Sequence, residues 1–157
     1  MRRVHDLDAK DREILALLEA DGRRSNSDIA RLTKLSAPTV AERIARLRDI
    51  GVIKGFSVRL DPARIGFPVA AIVEFRPYSI SPDQAISIIE DLPWVRDCFK
   101  VTGQAFVIFT VRVPDHEVLN TVLASLSRHG ETKTSVILAT EFRDRPYFAS
   151  GDLVSEP

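Results

Sequence analysis

The stretch Ser36-Ala37-Pro38 through Gly51 constrains this chain more than any other. Ser36 can cap a helix start, and Pro38 falls in a first turn where no helical N–H bond is lost. With residues placed every 100°, Ala37, Val40, Ile44 and Leu47 share a sector of roughly 80°, and Thr39, Glu42, Arg43 and Arg46 fall on the other side. Gly51 then stops the helix. The pattern is a helix over residues 37–50 that packs by one face and presents basic and polar groups on the other.

Two shorter helices precede it. Asp8 caps a stripe of Ile14, Leu15, Leu17 and Leu18 over residues 9–20, and Asp21-Gly22-Arg23-Arg24 ends that helix. Ser25-Asn26-Ser27-Asp28 opens the next, with Ile29, Ala30 and Leu32 at helical spacing. Residues 52–60 read as two strands turning near Lys54-Gly55, which makes a wing. Two helices, a tight turn and a wing form a winged helix-turn-helix, whose second helix enters the major groove of DNA. The expected contacts are Ser36, Thr39, Arg43 and Arg46 from the helix, with Lys54 and Arg59 of the wing on phosphates. Charge agrees: the formal net charge is zero, yet residues 1–65 hold 14 Lys/Arg against 10 Asp/Glu and residues 66–157 hold 8 against 12. Within residues 22–60 the ratio is 9 to 3, so the positive excess lies on the segment read as DNA-binding.

Asp61-Pro62-Ala63-Arg64-Ile65-Gly66-Phe67-Pro68, with two prolines and a glycine, reads as a linker. The expected domains are a DNA-binding domain over 1–60, a linker over 61–68, a second domain over 69–145 and a tail over 146–157. The second domain reads as strand 69–76, helix 83–92, strand 95–101, strand 105–113, helix 115–127 and strand 133–142. That β-α-β-β-α-β order predicts a ferredoxin-like sheet with two helices on one face, and an α+β chain overall. In the third strand Val107, Phe109, Val111 and Val113 alternate with Phe106, Ile108, Thr110 and Arg112, and in the last Val136 and Leu138 alternate with Ile137 and Ala139. Both faces thus carry apolar side chains, and the uncovered one is expected to meet another subunit.

Several function classes are set aside. The apolar fraction of 45% and charged fraction of 28% suit a folded core, and the apolar run 69–73 is far short of the roughly 20 residues that span a bilayer. Met1-Arg2-Arg3-Val4-His5-Asp6 has no apolar stretch behind its basic residues, so no secretory signal and a cytoplasmic location are expected. Cys98 is the single cysteine and reads as a small buried hydrophobe. His5, His116 and His129 lack metal-type spacing, and Trp94 after Pro93 reads as packing. With no nucleophile motif and no P-loop, neither a cofactor nor an enzymatic activity is expected.

The residues also carry a resemblance. Leu7-Asp8-x-x-Asp11-Arg12-x-Ile14-Leu15, Asp21-Gly22-Arg23, Ile29-Ala30, Leu35-Ser36-x-x-Thr39-Val40-x-x-Arg43-Ile44-x-x-Leu47 and Gly51-Val52-Ile53-Lys54-Gly55-Phe56 look like the Lrp/AsnC (feast/famine) regulators, closely over about residues 6–66. The resemblance implies sequence-specific binding of double-stranded DNA and homodimers that assemble further, to tetramers or octamers. It also implies a small-molecule effector such as an amino acid, held between second domains near residues 101–106 and 132–135. The matching residues are Thr102, Gly103, Gln104 and Ser135. Family members commonly carry an aspartate three positions after that glycine, and Phe106 stands there instead. This implies a less polar or non-amino-acid effector, or regulation without a ligand. Siroheme decarboxylases resemble the same two-domain plan and are the enzymatic alternative; the basic third helix favours the regulator.

Overall fold

A computed structural model describes residues 7–103 and 106–148. The chain divides into two compact units, Met1–Val58 with Phe142–Pro157, and Arg59–Glu141.

The first unit holds α1 (Ala9–Ala20), α2 (Asn26–Thr33) and α3 (Ala37–Asp49). Each start is fixed by the residue the sequence singles out. The Asp8 carboxylate accepts from the Asp11 amide at 2.8 Å and the Asp11 carboxylate accepts from the Asp8 amide at 3.3 Å, a reciprocal box. Ser25 accepts from the Asp28 amide at 3.1 Å and Ser36 from the Thr39 amide at 3.2 Å. Only Lys34, Leu35 and Ser36 separate α2 from α3, and Lys34 takes the left-handed conformation that so tight a turn needs. Ile14, Ile29, Ala30 and Val40 are buried together, with Leu17, Leu18, Leu35, Ala37 and Ile44 packed around them.

The wing is corrected. Among the described residues, 52–60 form no strand. The reason lies at the end of α3. Gly51, at φ 77°, donates to the Arg48 carbonyl at 2.9 Å, and the amides of Val52 and Ile53 both donate to the Leu47 carbonyl, at 2.9 and 3.0 Å. Those bonds close the helix in the manner of a glycine C-cap and take the donors that a hairpin ladder would need. Beyond them Phe56 lies beside Gly22, where an added Cβ would stand 3.5 Å from its ring.

The second unit is a four-stranded antiparallel sheet in the order β2-β3-β1-β4, built from β1 (Val69–Pro77), β2 (Val95–Lys100), β3 (Val107–Val113) and β4 (Gly130–Val136). Helices α4 (Pro82–Glu90) and α5 (His116–Ser127) complete the β-α-β-β-α-β order. Ala71, Val73 and Phe75 of β1 and Val107, Phe109, Val111 and Val113 of β3 are buried against Ala85 and Ile89 of α4 and Leu119, Val122 and Leu126 of α5. At about 25 cal/mol per Å² of apolar surface, this cluster is the main stabilising term of the unit.

Three boundaries differ from the expectation. β4 starts at Gly130 and ends at Val136, where a strand over 133–142 was expected. Its register with β1 runs from Pro77↔Gly130 to Ala71↔Val136, and the next partners would be Ala70, then Val69, then Pro68, which has no N–H to give. Ile137 makes the last bond, to the Ala70 carbonyl at 2.8 Å. The segment read as a linker belongs to the second unit and is ordered by a 3₁₀ turn at Ala63–Ile65. The Phe67 amide donates to the Pro62 carbonyl at 2.8 Å, and the Phe67 ring meets that of Trp94 at 5.9 Å. Finally, residues 142–148 group with the helical unit. The amides of Tyr147 and Phe148 donate to the two Glu19 carboxylate oxygens of α1 at 3.1 and 2.9 Å.

Candidate nucleic-acid interface and effector surface

The start of α3 is open to solvent. Ser36 and Pro38 are exposed, Thr39 is half-buried, and the Ser36 and Thr39 hydroxyls are hydrogen-bonded to each other at 2.7 Å. Along the helix, Val40 and Leu47 are fully buried, while Ala41, Glu42, Ala45, Arg46, Arg48 and Asp49 are exposed. The helix therefore rests on the sector expected to pack, and its opposite side is presented.

The two arginines are not free cations on that side. Arg43 Nη1 donates to Asp8 Oδ2 at 2.7 Å and to Asp11 Oδ1 at 2.9 Å, and Arg46 Nη2 donates to Asp11 Oδ2. Asp11 has no exposed surface, whereas the side chains of Arg43, Arg46 and Asp8 are 27%, 47% and 54% exposed. Burying a carboxylate completely is costly unless it is paired and hydrogen-bonded, and here two guanidinium groups and the Asp8 amide meet it. The hydrogen bond from Arg43, followed by that from the Asp11 amide, lowers the Asp8 pKa below the usual carboxylate range. The same pair, with Asp11 second, raises that of Arg43. With Glu42 and Thr39 these four residues line an open cavity of about 360 Å³.

The remaining candidates divide. Lys54 is exposed in the first unit, and Arg59 is exposed at the start of the second. Exposed cations in or beside the turn, Arg31 and Lys34, were not singled out by the sequence. In the sequence Asp8 reads only as a helix cap, and Asp11 only as part of the family pattern. Their partners lie 32 to 35 positions away, and the one available signal is that both pairs, Asp8/Asp11 and Arg43/Arg46, are spaced three apart on a helical face.

In the second unit Thr102 and Gly103 are exposed in the turn joining β2 to β3, which the Val101 amide closes onto the Phe106 carbonyl at 3.3 Å. Gly103 has φ 110°, and an added Cβ would meet nothing within 4 Å, so backbone conformation, not crowding, calls for glycine there. Gln104 lies outside the described residues. Ser135 is exposed on β4 opposite Ile72, whereas the Phe106 amide donates to Phe75, whose β4 partner is Thr132. Three residues of strand rise, about 10 Å, separate those levels, so one subunit does not gather Ser135 and the turn into a single site. A cavity of about 360 Å³ lies elsewhere, between α4 and β2, lined by Ile86, Ile89, Leu92, Val95, Arg96 and Cys98 among others.

The sheet face turned away from the helices carries Ile72, Glu74, Ile108, Thr110, Asp97, Phe99, Lys133 and Ser135 by register. Its apolar part is Phe99, Ile108 and Ile72, with Phe99 52% exposed. Two polar pairs lie on it, Thr110 with Asp97 at 2.7 Å and Lys133 with Glu74 at 3.5 Å. The expected strand positions Leu138 and Ala139 are not part of it.

Comparison with known proteins places these features together. Residues 7–48 match the AsnC-type helix-turn-helix domain and residues 70–147 match the Lrp/AsnC ligand binding domain. The HTH-type transcriptional regulator LrpA of Mycobacterium tuberculosis is 33% identical over 144 residues, covering 90% of this chain and 96% of that protein. LrpC of Bacillus subtilis is 30% identical over 133 residues, covering 85% and 92%. The LrpC structure superposes with a TM-score of 0.83 at 29% identity over 90% of this chain and all of that one. The feast or famine regulatory protein of M. tuberculosis complexed with L-methionine gives 0.85 at 32% identity, covering 91% and 99%. Among the described residues no helix is long and apolar enough to cross a membrane.

Proposed function

Because this chain belongs to the Lrp/AsnC family of transcriptional regulators, we propose that it reads double-stranded DNA through the exposed start and flank of α3. Ser36, Thr39 and Arg46 approach base edges, Arg43 joins them on leaving its carboxylates, and Lys54 lies along the phosphates. The observation that carries this reading is the three-residue turn that sets α3 on α2 with its polar side outward. It acts by binding and not by catalysis, in keeping with relatives that are regulators. Arg59, exposed at the start of the second unit, is a further phosphate contact beside Lys54.

Subunits pair through the second unit, whose open sheet face exposes Phe99 and Ile72, and dimers assemble further. The effector surface is the β2–β3 turn with Thr102, Gly103 and Gln104, completed from a neighbouring subunit and with Ser135 as a further residue to vary. An M. tuberculosis relative was crystallised with L-methionine. Phe106 stands where the family resemblance implies an aspartate, so the effector is less polar or regulation needs none.

The test is a duplex selected by the purified protein from random sequence. A good bidentate base contact discriminates by about 1–3 kcal/mol. The Arg46→Ala variant, and the double variant with Arg43→Ala once its fold is verified, should bind that duplex at least tenfold more weakly at physiological salt. Unaltered affinity would place the reading face elsewhere.

A further inference from the structure

The basic segment found in the sequence carries a built-in competitor for DNA. Arg43 and Arg46 share one buried carboxylate, Asp11, and a second carboxylate, Asp8, balances the second guanidinium. With all four ionised the cluster is neutral. Asp8 differs from Asp11 in that its side chain is half in solvent, at the mouth of the cavity lined by Thr39, Glu42, Arg43 and Arg46. It stands at 2.7 Å from Arg43 Nη1, the distance at which a phosphate oxygen would stand.

We propose that Asp8 is a specificity-determining residue: it occupies Arg43 against the diffuse attraction of any DNA backbone and yields it only to a site offering directional hydrogen bonds. This rests on the reading of α3 as the DNA-binding helix. A guanidinium already paired releases no counterions on meeting a phosphate, so it adds little to sequence-independent binding. A base edge that accepts two parallel bonds offers Arg43 a directional match that a phosphate oxygen does not, and so competes with its bonds to Asp8 and Asp11. The clasp thereby lowers affinity for random DNA more than for the correct site.

Asp8 also caps α1, but the two duties are separable. Asp8 Oδ1 takes the Asp11 amide and Oδ2 takes the arginine. Asparagine caps as well as aspartate does, so Asp8→Asn keeps the first bond and removes the charge. Asp8→Ser is the second capping variant if the first does not fold. The measurement is the salt dependence of binding to a random-sequence duplex by the full-length protein, with thermal unfolding as the check of fold.

One freed charge per subunit should steepen the slope of log K against log salt by about 0.9 for each subunit engaged, and tighten random-duplex binding roughly fivefold at 0.15 M. Affinity for the selected duplex should rise less, so the specificity ratio falls. Adding Arg43→Gln to Asp8→Asn should cancel the gain, which a mere change in helix stability would not do. A folded variant with unchanged slope and unchanged random-duplex affinity overturns the proposal and leaves the DNA-binding reading standing. If neither the wild type nor the variant binds any duplex, the proposal and that reading fall together.

Discussion

Replacing Asp11 by alanine probes the strut that holds α3 against α1. The Asp11 side chain is fully buried and accepts from Arg43, from Arg46 and from the Asp8 amide. Hydrogen bonds to charged groups are worth about 1.5–3 kcal/mol each, which for the two guanidinium groups alone sets an upper range near 3–6 kcal/mol. Two features lower it. Arg46 is about half exposed and Arg43 about a quarter, so both rehydrate, and Arg43 keeps Asp8. The expected loss is about 2–3 kcal/mol, and for a unit of this size each kcal/mol moves the midpoint by about 4–8 °C, so a fall on the order of 10–20 °C is expected. Urea and thermal unfolding followed by circular dichroism measure both quantities. Asp11→Asn, which keeps the volume and one acceptor, should fall between. A loss below about 0.5 kcal/mol for Asp11→Ala would show instead that its hydrogen bonds do no more than offset the cost of burying it, and that α3 does not depend on them.

Gly130→Ala should destabilise the second unit by about 1–3 kcal/mol or prevent its folding, since an added Cβ would press on the Arg76 carbonyl oxygen and stand 2.6 Å from the Phe75 ring; thermal unfolding measures it. Because Arg43 lowers the folded pKa of Asp8 below 3.8, that pair contributes stability above the unfolded pKa that is lost as pH falls through the folded one. The wild type's advantage over Asp8→Asn in urea unfolding should therefore shrink from pH 5 towards pH 2, and shrink at pH 7 with added salt. A fragment covering residues 59–141 should be at least dimeric by ultracentrifugation at micromolar concentration, and Phe99→Lys should weaken that association.

What the sequence reveals here is local chemistry. Asp8, Ser25 and Ser36 are legible as helix starts because a short polar side chain before an apolar stripe has one common use, and all three accept from the amide three residues on. The third strand is legible because strict alternation of Val107, Phe109, Val111 and Val113 leaves no other element, and the order of helices and strands carries the sheet with it. What escapes is set by distant partners. Strand-type residues on either side of Lys54-Gly55 read as a wing, while the amides of Val52 and Ile53 are committed to the Leu47 carbonyl. The extent of β4 is set by its pairing with β1, a strand more than fifty residues earlier in the chain, and that pairing runs only as far as Ala71↔Val136. Arg43 looks like a free cation by its helical angle, yet it flanks the buried sector closely enough for α1 to meet it with two carboxylates. Charge counted along a segment does not show which charges are already balanced in space.

Selection from a random duplex library by the purified full-length protein tests the central claim most directly. The expected result is enrichment of one motif with two-fold symmetry, its half-sites separated by one helical turn or a multiple of it, about 10–10.5 base pairs each. Loss of that enrichment is expected when Arg43 and Arg46 are replaced together in a variant that still unfolds cooperatively. A library that leaves the protein unenriched, or a motif that the double variant selects as strongly, would contradict the claim.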